Sequence, residues 1–257
     1  MLALINNNFF LKRIAIIGSF FILALKVIFC RPNLKVFFIC IRQIYFLGFK
    51  TLVLIMFSAC FIGLVLAFQG YNVLEKFAAE GALGILVGLS LFRELAPVLS
   101  GLLFAGSVGT SLTSEIALMK TTDQIANLDI LSVDPVERVL SPRFWASIIV
   151  FPFLVFVFIF SALTFANILY TYMGQSSSVF WFSLAENMNY FEDSIYCLIK
   201  SISFGFIISL ISIFNGYYSS PTPEGLVLAT NNTVVLSSIS ILLVDLILTF
   251  FMFGSQL

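Results

Sequence analysis

Long apolar runs separated by short polar punctuation dominate this chain. Five runs reach the roughly 20 mostly apolar residues that a membrane-crossing helix needs. They fall near Ile44–Phe68, Gly81–Val108, Phe144–Met173, Ser194–Tyr218 and Val234–Phe253. A sixth run, Ile14–Cys30, is shorter, carries Lys26 and is flanked by Lys12, Arg13 and Arg31. No small-residue cleavage site comes after it, so it is not read as a signal peptide. Its length and basic flanks fit a helix lying in the membrane interface better than a sixth span.

The polar stretch between the second and third spans, residues 110–143, is the longest in the chain. Ile116, Met119, Ile125 and Leu128 give it an apolar stripe, which predicts a short amphipathic helix over residues 114–129. Asp134-Pro135 and Ser141-Pro142 should punctuate the segment beyond that helix, because the residue before a proline avoids the helical region. The fold class expected is therefore an all-α integral membrane protein: an interfacial N-terminal helix, five spans, and a cytoplasmic helix between spans two and three. We read it as a single domain over 1–257, with 1–43 as the N-terminal segment and 44–257 as the bundle.

Composition agrees with this reading. Hydrophobic residues make up 60% of the chain and charged ones 10%, against about 45–50% and about 25% in soluble domains. That excludes a soluble enzyme and a disordered chain alike. The zero formal net charge gives no sign of a nucleic-acid partner. The absence of His removes imidazole catalysis and most zinc sites. Cys30, Cys40, Cys60 and Cys197 lie singly in apolar sequence, where a thiol packs as a small hydrophobe.

Lys and Arg set the orientation. Seven of the thirteen fall within residues 1–50, which puts the N-terminus in the cytoplasm. Lys120, Arg138 and Arg143 put the loop after span two there as well. The loop after span three carries Glu186, Glu192 and Asp193 without a basic residue, so it faces outward.

Two features inside the spans invite a functional reading. Gly84 and Gly88, then Gly101, Ala105 and Gly109, repeat at four-residue spacing and mark a face for close helix packing, either between two copies or within one. Pro97 should kink that helix. Arg93, Glu94, Lys200 and Asp245 are ionisable residues in apolar spans, and a charge at mid-bilayer costs about 2.5–3.5 kcal/mol. Arg93 and Glu94 point about 100° apart and cannot pair with each other. Lys200 and Asp245 sit at similar depths, roughly 9 and 12 Å from the outer ends of their spans at 1.5 Å per residue, so they are candidates for an ion pair. The chain has no phosphate-binding loop, so any ATP-driven movement needs a second chain for hydrolysis. Asn231-Asn232-Thr233 matches a glycosylation pattern on a segment expected in the cytoplasm and is read as chance.

Several stretches together resemble the MlaE family of bacterial permeases: Phe61-Ile62-Gly63-Leu64-Val65-Leu66-Ala67-Phe68-Gln69-Gly70-Tyr71, Leu91-Phe92-Arg93-Glu94-Leu95-Ala96-Pro97-Val98, Leu103-Phe104-Ala105-Gly106, Thr113-Ser114-Glu115-Ile116-Ala117-Leu118-Met119, Val133-Asp134-Pro135 and Ser141-Pro142-Arg143-Phe144-Trp145-Ala146. Cys197-Leu198-Ile199-Lys200-Ser201, Phe214-Asn215-Gly216-Tyr217 and Phe251-Met252-Phe253-Gly254 continue it. Their order and spacing carry the resemblance over roughly residues 40–254. It implies a permease subunit of an ABC transporter that moves phospholipid between the inner and outer membranes and maintains outer-membrane asymmetry. The implied partners are a second copy of the chain, cytoplasmic ABC ATPase subunits that use ATP and Mg, periplasmic MCE lipid-binding subunits and a small cytoplasmic accessory subunit. No cofactor is implied for this chain itself, and the implied location is the inner membrane. The resemblance sets Arg93, Glu94, Lys200 and Asp245 around the lipid pathway. It makes the helix over 114–129 the ATPase-coupling element; from the charges and apolar stripe of that helix we expect Glu115 and Asp123 to meet basic groups and Ile116 and Met119 to fill a groove on the ATPase. Where close relatives have Arg, this chain has Ser107. A same-fold permease for a sterol or organic solvent, and a membrane scaffold without transport, are the alternatives; the intramembrane charges argue against the scaffold.

Overall fold

The computed structural model describes residues 9–29 and 34–253, and among them every regular element is helical. Cys30 lies outside the described residues. Helix α1 runs Phe9–Phe29 and α2 Leu34–Glu75. Helix α3 runs Glu80–Thr121, α4 Gln124–Ile130, α5 Val136–Tyr172 and α6 Ser177–Asn187. Helices α7, Tyr190–Tyr217, and α8, Pro223–Phe253, complete the chain. Helices α2, α3, α5, α7 and α8 are long and apolar enough to cross a membrane. Within α1, the stretch Gly18–Phe29 is apolar. Its Leu23, Ala24 and Val27 are buried while Phe21, Ile22, Leu25 and Phe29 are exposed, a one-sided packing against the bundle.

Helix α3 runs on past its expected end. The stretch expected to open a separate helix at residue 114 prolongs α3 to Thr121 instead. Its hydroxyls turn back onto the helix itself: Thr110 Oγ1 donates to the Gly106 carbonyl (2.7 Å), Thr113 Oγ1 to Gly109 (2.9 Å) and Ser114 Oγ to Ser111 (2.9 Å). Polar side chains satisfied in this way do not interrupt a helix. The break comes at Asp123, whose φ of 55° is left-handed, and α4 comes next as a separate helix of 7 residues. Its end is closed by Ser132 (φ 57°), with Ser132 N donating to Asp129 O (3.0 Å) and Val133 N to Leu128 O (3.0 Å). That is the paired hydrogen bonding of a Schellman stop.

Pro142 also departs from expectation. Ser141 is helical (φ −59°, ψ −46°), and α5 passes through Pro142 by way of a π-helical turn at Val136–Leu140. The wider turn accommodates the missing proline N–H. Asp134 caps this start, its Oδ1 accepting from Val136 N at 2.8 Å. After α5, Gly174 (φ 88°) reverses the chain, and the expected outer loop contains α6. Gly84 and Gly88 of α3 face α6: a Cβ at Gly84 would run into the Phe180 carbonyl, and one at Gly88 would come within 3.0 Å of Leu184.

Helix α2 lies along α5, with Gly63 tight against the Ala162 carbonyl. Helices α3, α7 and α8 form the other half of the bundle. Buried Phe104, Phe151, Phe158 and Phe204 fill the centre. Cys40 and Cys197 are buried free thiols and Cys60 is half-buried.

Candidate functional site

A π-helical turn at Leu91–Leu95 carries Arg93 and Glu94. Its cause is local. Pro97 has no N–H to give the carbonyl four residues back, which is that of Arg93, so that carbonyl is left without its helical partner. Lys200 of α7 supplies one: its Nζ lies 2.7 Å from Arg93 O. The same ammonium meets Asp245 Oδ1 at 2.8 Å, Thr249 Oγ1 at 2.7 Å and Glu94 Oε2 at 3.1 Å. Thr249 in turn donates to Glu94 Oε1 (3.0 Å). The side chain of Lys200 is fully buried. A buried ammonium is tolerable only when its three donors are occupied, and here four acceptors surround it. The network ties α3, α7 and α8 together at one point.

Arg93 points elsewhere. Its Nε donates to Asp193 Oδ1 at 2.8 Å, with Asp193 1% exposed and Arg93 36% exposed. Asp193 Oδ2 is buried without a hydrogen-bond partner. One edge of the Arg93 guanidinium is thereby committed to the first turn of α7. Glu94 reaches Lys200 and Thr249 of its own chain. The structure brings Lys200 and Asp245 together as their depths suggest. It adds Asp193 and Thr249, which sequence reasoning missed: Asp193 reads as an outer-loop residue and Thr249 as part of an apolar span. The available signal was spacing. Asp193 lies seven residues before Lys200 and Thr249 four after Asp245, so each shares a helix face with its neighbour in the network. The cluster holds Arg93 and Lys200 against Glu94, Asp193 and Asp245, so carboxylates outnumber cations by one.

The face of Gly101, Ala105 and Gly109 is filled from within the chain. A Cβ on Gly101 would come 3.4 Å from Ile241 and 3.6 Å from Phe204; one on Gly109 would come 3.3 Å from Ser212 and 3.5 Å from Thr233. Ala105 is fully buried. These residues pack α3 against α7 and α8, so they are not a free face for a second copy. Just beyond them, Thr113 Oγ1 contacts Thr233 Oγ1 (2.9 Å) and Ser212 O (3.0 Å).

At the far end of the bundle, Lys120 Nζ donates to Tyr217 O (2.8 Å) and Ser219 O (2.8 Å). It thereby caps the carbonyl end of α7, where a cation is favoured. The four residues expected to couple to an ATPase are dispersed. Ile116 is fully buried and sits against Gly216, so it cannot fill a partner's groove. Glu115 Oε2 pairs with Arg143 at 3.4 Å, and Met119 packs on the same guanidinium (Sδ 3.9 Å). Asp123 is exposed at the break before α4. The large apolar side chains that α4 and its stop present to solvent are Ile130, 79% exposed, and Leu131, 70% exposed.

Comparison with known proteins places this architecture. The family model described as "Permease MlaE" matches residues 40–251. The intermembrane phospholipid transport system permease protein MlaE of Haemophilus influenzae is 42% identical over 227 residues, covering 88% of this chain and 87% of that protein. A probable ABC transporter permease protein of Rickettsia prowazekii is 39% identical over 242 residues, covering 93% and 92%. One from Pyropia yezoensis is 30% identical over 213 residues, covering 83% and 81%.

Proposed function

Since the chain belongs to the MlaE permease family, we propose that it is the membrane subunit of an ABC transporter that moves phospholipid between the inner and outer membranes and so maintains outer-membrane asymmetry. The observation that carries the reading is the 42% identity to a phospholipid-transport permease across nearly the whole chain. The intramembrane network supports it: five ionisable groups held where α3, α7 and α8 meet give the bundle a polar centre that a passive scaffold has no reason to bear. In this reading the network lies toward the periplasm. Glu94, with 39% of its side chain exposed, and Arg93, with 36% exposed, border the lipid pathway, while Lys200 fixes the helices behind them.

The chain works as a homodimer in the inner membrane with its N-terminus in the cytoplasm. The contact between copies is assigned to α8, whose most apolar window is 11% buried, against 28–56% for the other spans. Hydrolysis of Mg-ATP is assigned to a separate ABC ATPase that docks on α4 through Ile130 and Leu131. MCE lipid-binding subunits on the periplasmic side and a small cytoplasmic accessory subunit complete the assembly, and this chain binds no cofactor of its own.

The test is purification of the complex in mild detergent, followed by phosphorus analysis and mass spectrometry of extracted lipid. Stoichiometric phospholipid that decreases on incubation with Mg-ATP and acceptor MCE protein supports the reading. A neutral sterol or solvent in its place would move the chain to a different substrate class within the same fold.

A further inference from the structure

A groove of about 500 Å³ opens between α2, α3 and α8 on the Lys120 side of the bundle. Six of its eleven lining residues carry hydroxyls and none is acidic. Its cation is Lys50, whose ammonium lies 4.3 Å from the centre of the Phe46 ring. Thr110 and Thr230 turn their hydroxyl protons back onto their own helices. Ser107 Oγ, in contrast, is buried without a hydrogen-bond partner. Lys50, Ser107, Ser111 and the amide of Asn231 are thus the donors the groove presents. A cation, hydroxyls and an amide with no opposing carboxylate suit a phosphate diester, whose oxygens only accept. Phe46, Leu47 and Val108 line the same groove with apolar surface.

Its depth narrows the ligand further. Ser107 and Ser114 lie 14 and 21 residues beyond Arg93 along α3, or about 21 and 32 Å at 1.5 Å per residue. The hydrocarbon core of a bilayer is about 30 Å thick. The groove therefore lies at the opposite membrane face from the Arg93–Lys200 network, at headgroup level.

We propose that this groove is a second lipid site, which holds the anionic phosphate of a phospholipid headgroup through Lys50, Ser107 and Asn231 at the membrane face opposite the Arg93–Lys200 network. The assignment rests on the reading of the chain as a phospholipid permease, and it gives that permease a docking point for each leaflet.

The chain reconstituted in phosphatidylcholine nanodiscs, without ATPase, is irradiated with a headgroup-photoactivatable phosphatidylglycerol, and the labelled peptides are mapped by mass spectrometry. Label should fall on residues 46–51 and 107–114. Lys50→Glu should reduce it about tenfold, the scale on which one charge-assisted contact acts, while Lys50→Arg keeps it. Ser107→Leu, which fills the groove without touching the charge, should reduce it as well and serves if Lys50→Glu fails to fold. Excess inorganic phosphate should leave the label in place. Equal labelling by a photoactivatable diacylglycerol, undiminished labelling of Lys50→Glu, or displacement by inorganic phosphate would overturn the proposal. Because no transport is needed for labelling, a labelled groove in a chain that fails to move phospholipid would sink the transport reading and leave the site standing.

Discussion

Lys200 Nζ lies 2.7 Å from the carbonyl oxygen of Arg93, the backbone acceptor in α3 that Pro97 deprives of its helical donor. The two residues are 107 positions apart, yet each answers a cost imposed by the other. A proline within a span leaves a carbonyl unpaired in a medium without water, and a buried ammonium needs acceptors. The π-helical turn at Leu91–Leu95 lets that carbonyl and Glu94 face α7 together.

This arrangement makes Lys200 and Asp245 unequal. Lys200→Met should strand Glu94, Asp245 and the Arg93 carbonyl at once and cost about 3–5 kcal/mol, the range for breaking a buried ion pair. Asp245→Asn leaves Lys200 with Glu94, Thr249 and Arg93 O, and should cost less than half as much. A cycle of the two changes should be strongly non-additive. Thermal unfolding in detergent, monitored by scattering or tryptophan emission, reads both. Equal losses from the two single changes would contradict the four-acceptor description.

The Arg93–Asp193 pair is more exposed on the Arg93 side, so screening discounts it. Asp193→Ala should lower stability by about 1 kcal/mol, well short of Lys200→Met. It should weaken transport more than stability if Arg93, oriented by Asp193, borders the lipid pathway as proposed. Arg93→Lys should not rescue, since a single ammonium cannot match the planar guanidinium. Lipid transfer to an acceptor MCE protein, measured beside melting temperature, separates the two effects; a parallel fall in both would make the pair purely structural.

How much of this was legible depends on what each signal encodes. The five spans could be read because each is a long apolar run, and burial of such runs in lipid depends on little else. The Lys200–Asp245 contact was legible because depth along a helix is linear in residue number. The extension of α3 to Thr121 was hidden, because Thr110, Thr113 and Ser114 look like loop residues and become helical only by bonding their own carbonyls. The fate of Ile116 was hidden for a different reason. An apolar stripe says that a face is covered, not by what, and Gly216 of α7 covers it. Likewise the spacing of Gly101, Ala105 and Gly109 announced close packing but could not tell a second copy from the same chain.

The close approaches themselves can be tested one at a time. A Cβ at Gly63 would strike the Ala162 carbonyl, which is backbone and cannot turn aside; a Cβ at Gly106 meets nothing within 4 Å. Gly63→Ala should therefore destabilise by about 1–3 kcal/mol through overpacking. Gly106→Ala should be neutral or slightly stabilising, as alanine is the better helix former. Melting temperatures of the two variants decide it, and a silent Gly63→Ala would mean that α2 and α5 are not in tight register.

The assignment of the homodimer contact to α8 makes a positional prediction. Val235, Leu242 and Leu246 are 56%, 54% and 70% exposed, as are Phe153 (63%) and Phe160 (71%) on α5. With a short bismaleimide in native membranes, cysteine at the α8 positions should give a crosslinked dimer on gels, and cysteine at Phe153 or Phe160 should not. The variants are made in a background lacking Cys30, Cys40, Cys60 and Cys197, so that the new thiol alone reports. Crosslinking from α5 and none from α8 would move the interface to the other side of the bundle.

The coupling surface gives the sharpest contrast between sequence and structure. If the stripe over residues 114–129 were the docking face, Met119→Asp would release the ATPase. In the structure Met119 and Glu115 hold Arg143, and Ile116 is buried against α7, so charges there should damage the chain's own packing and lower its yield and melting temperature. Ile130 and Leu131 are exposed at the tip, held out by the left-handed turn at Asp123 and the stop at Ser132. Ile130→Asp and Leu131→Asp should leave yield and melting temperature unchanged, since they remove no internal contact. Each should reduce copurification of the ATPase at least about tenfold, as loss of an apolar anchor at the centre of an interface does. A pull-down from cells expressing both chains, with ATP turnover measured on the eluate, reads the result. Full copurification with Ile130→Asp and Leu131→Asp combined would show that α4 is not where the ATPase binds.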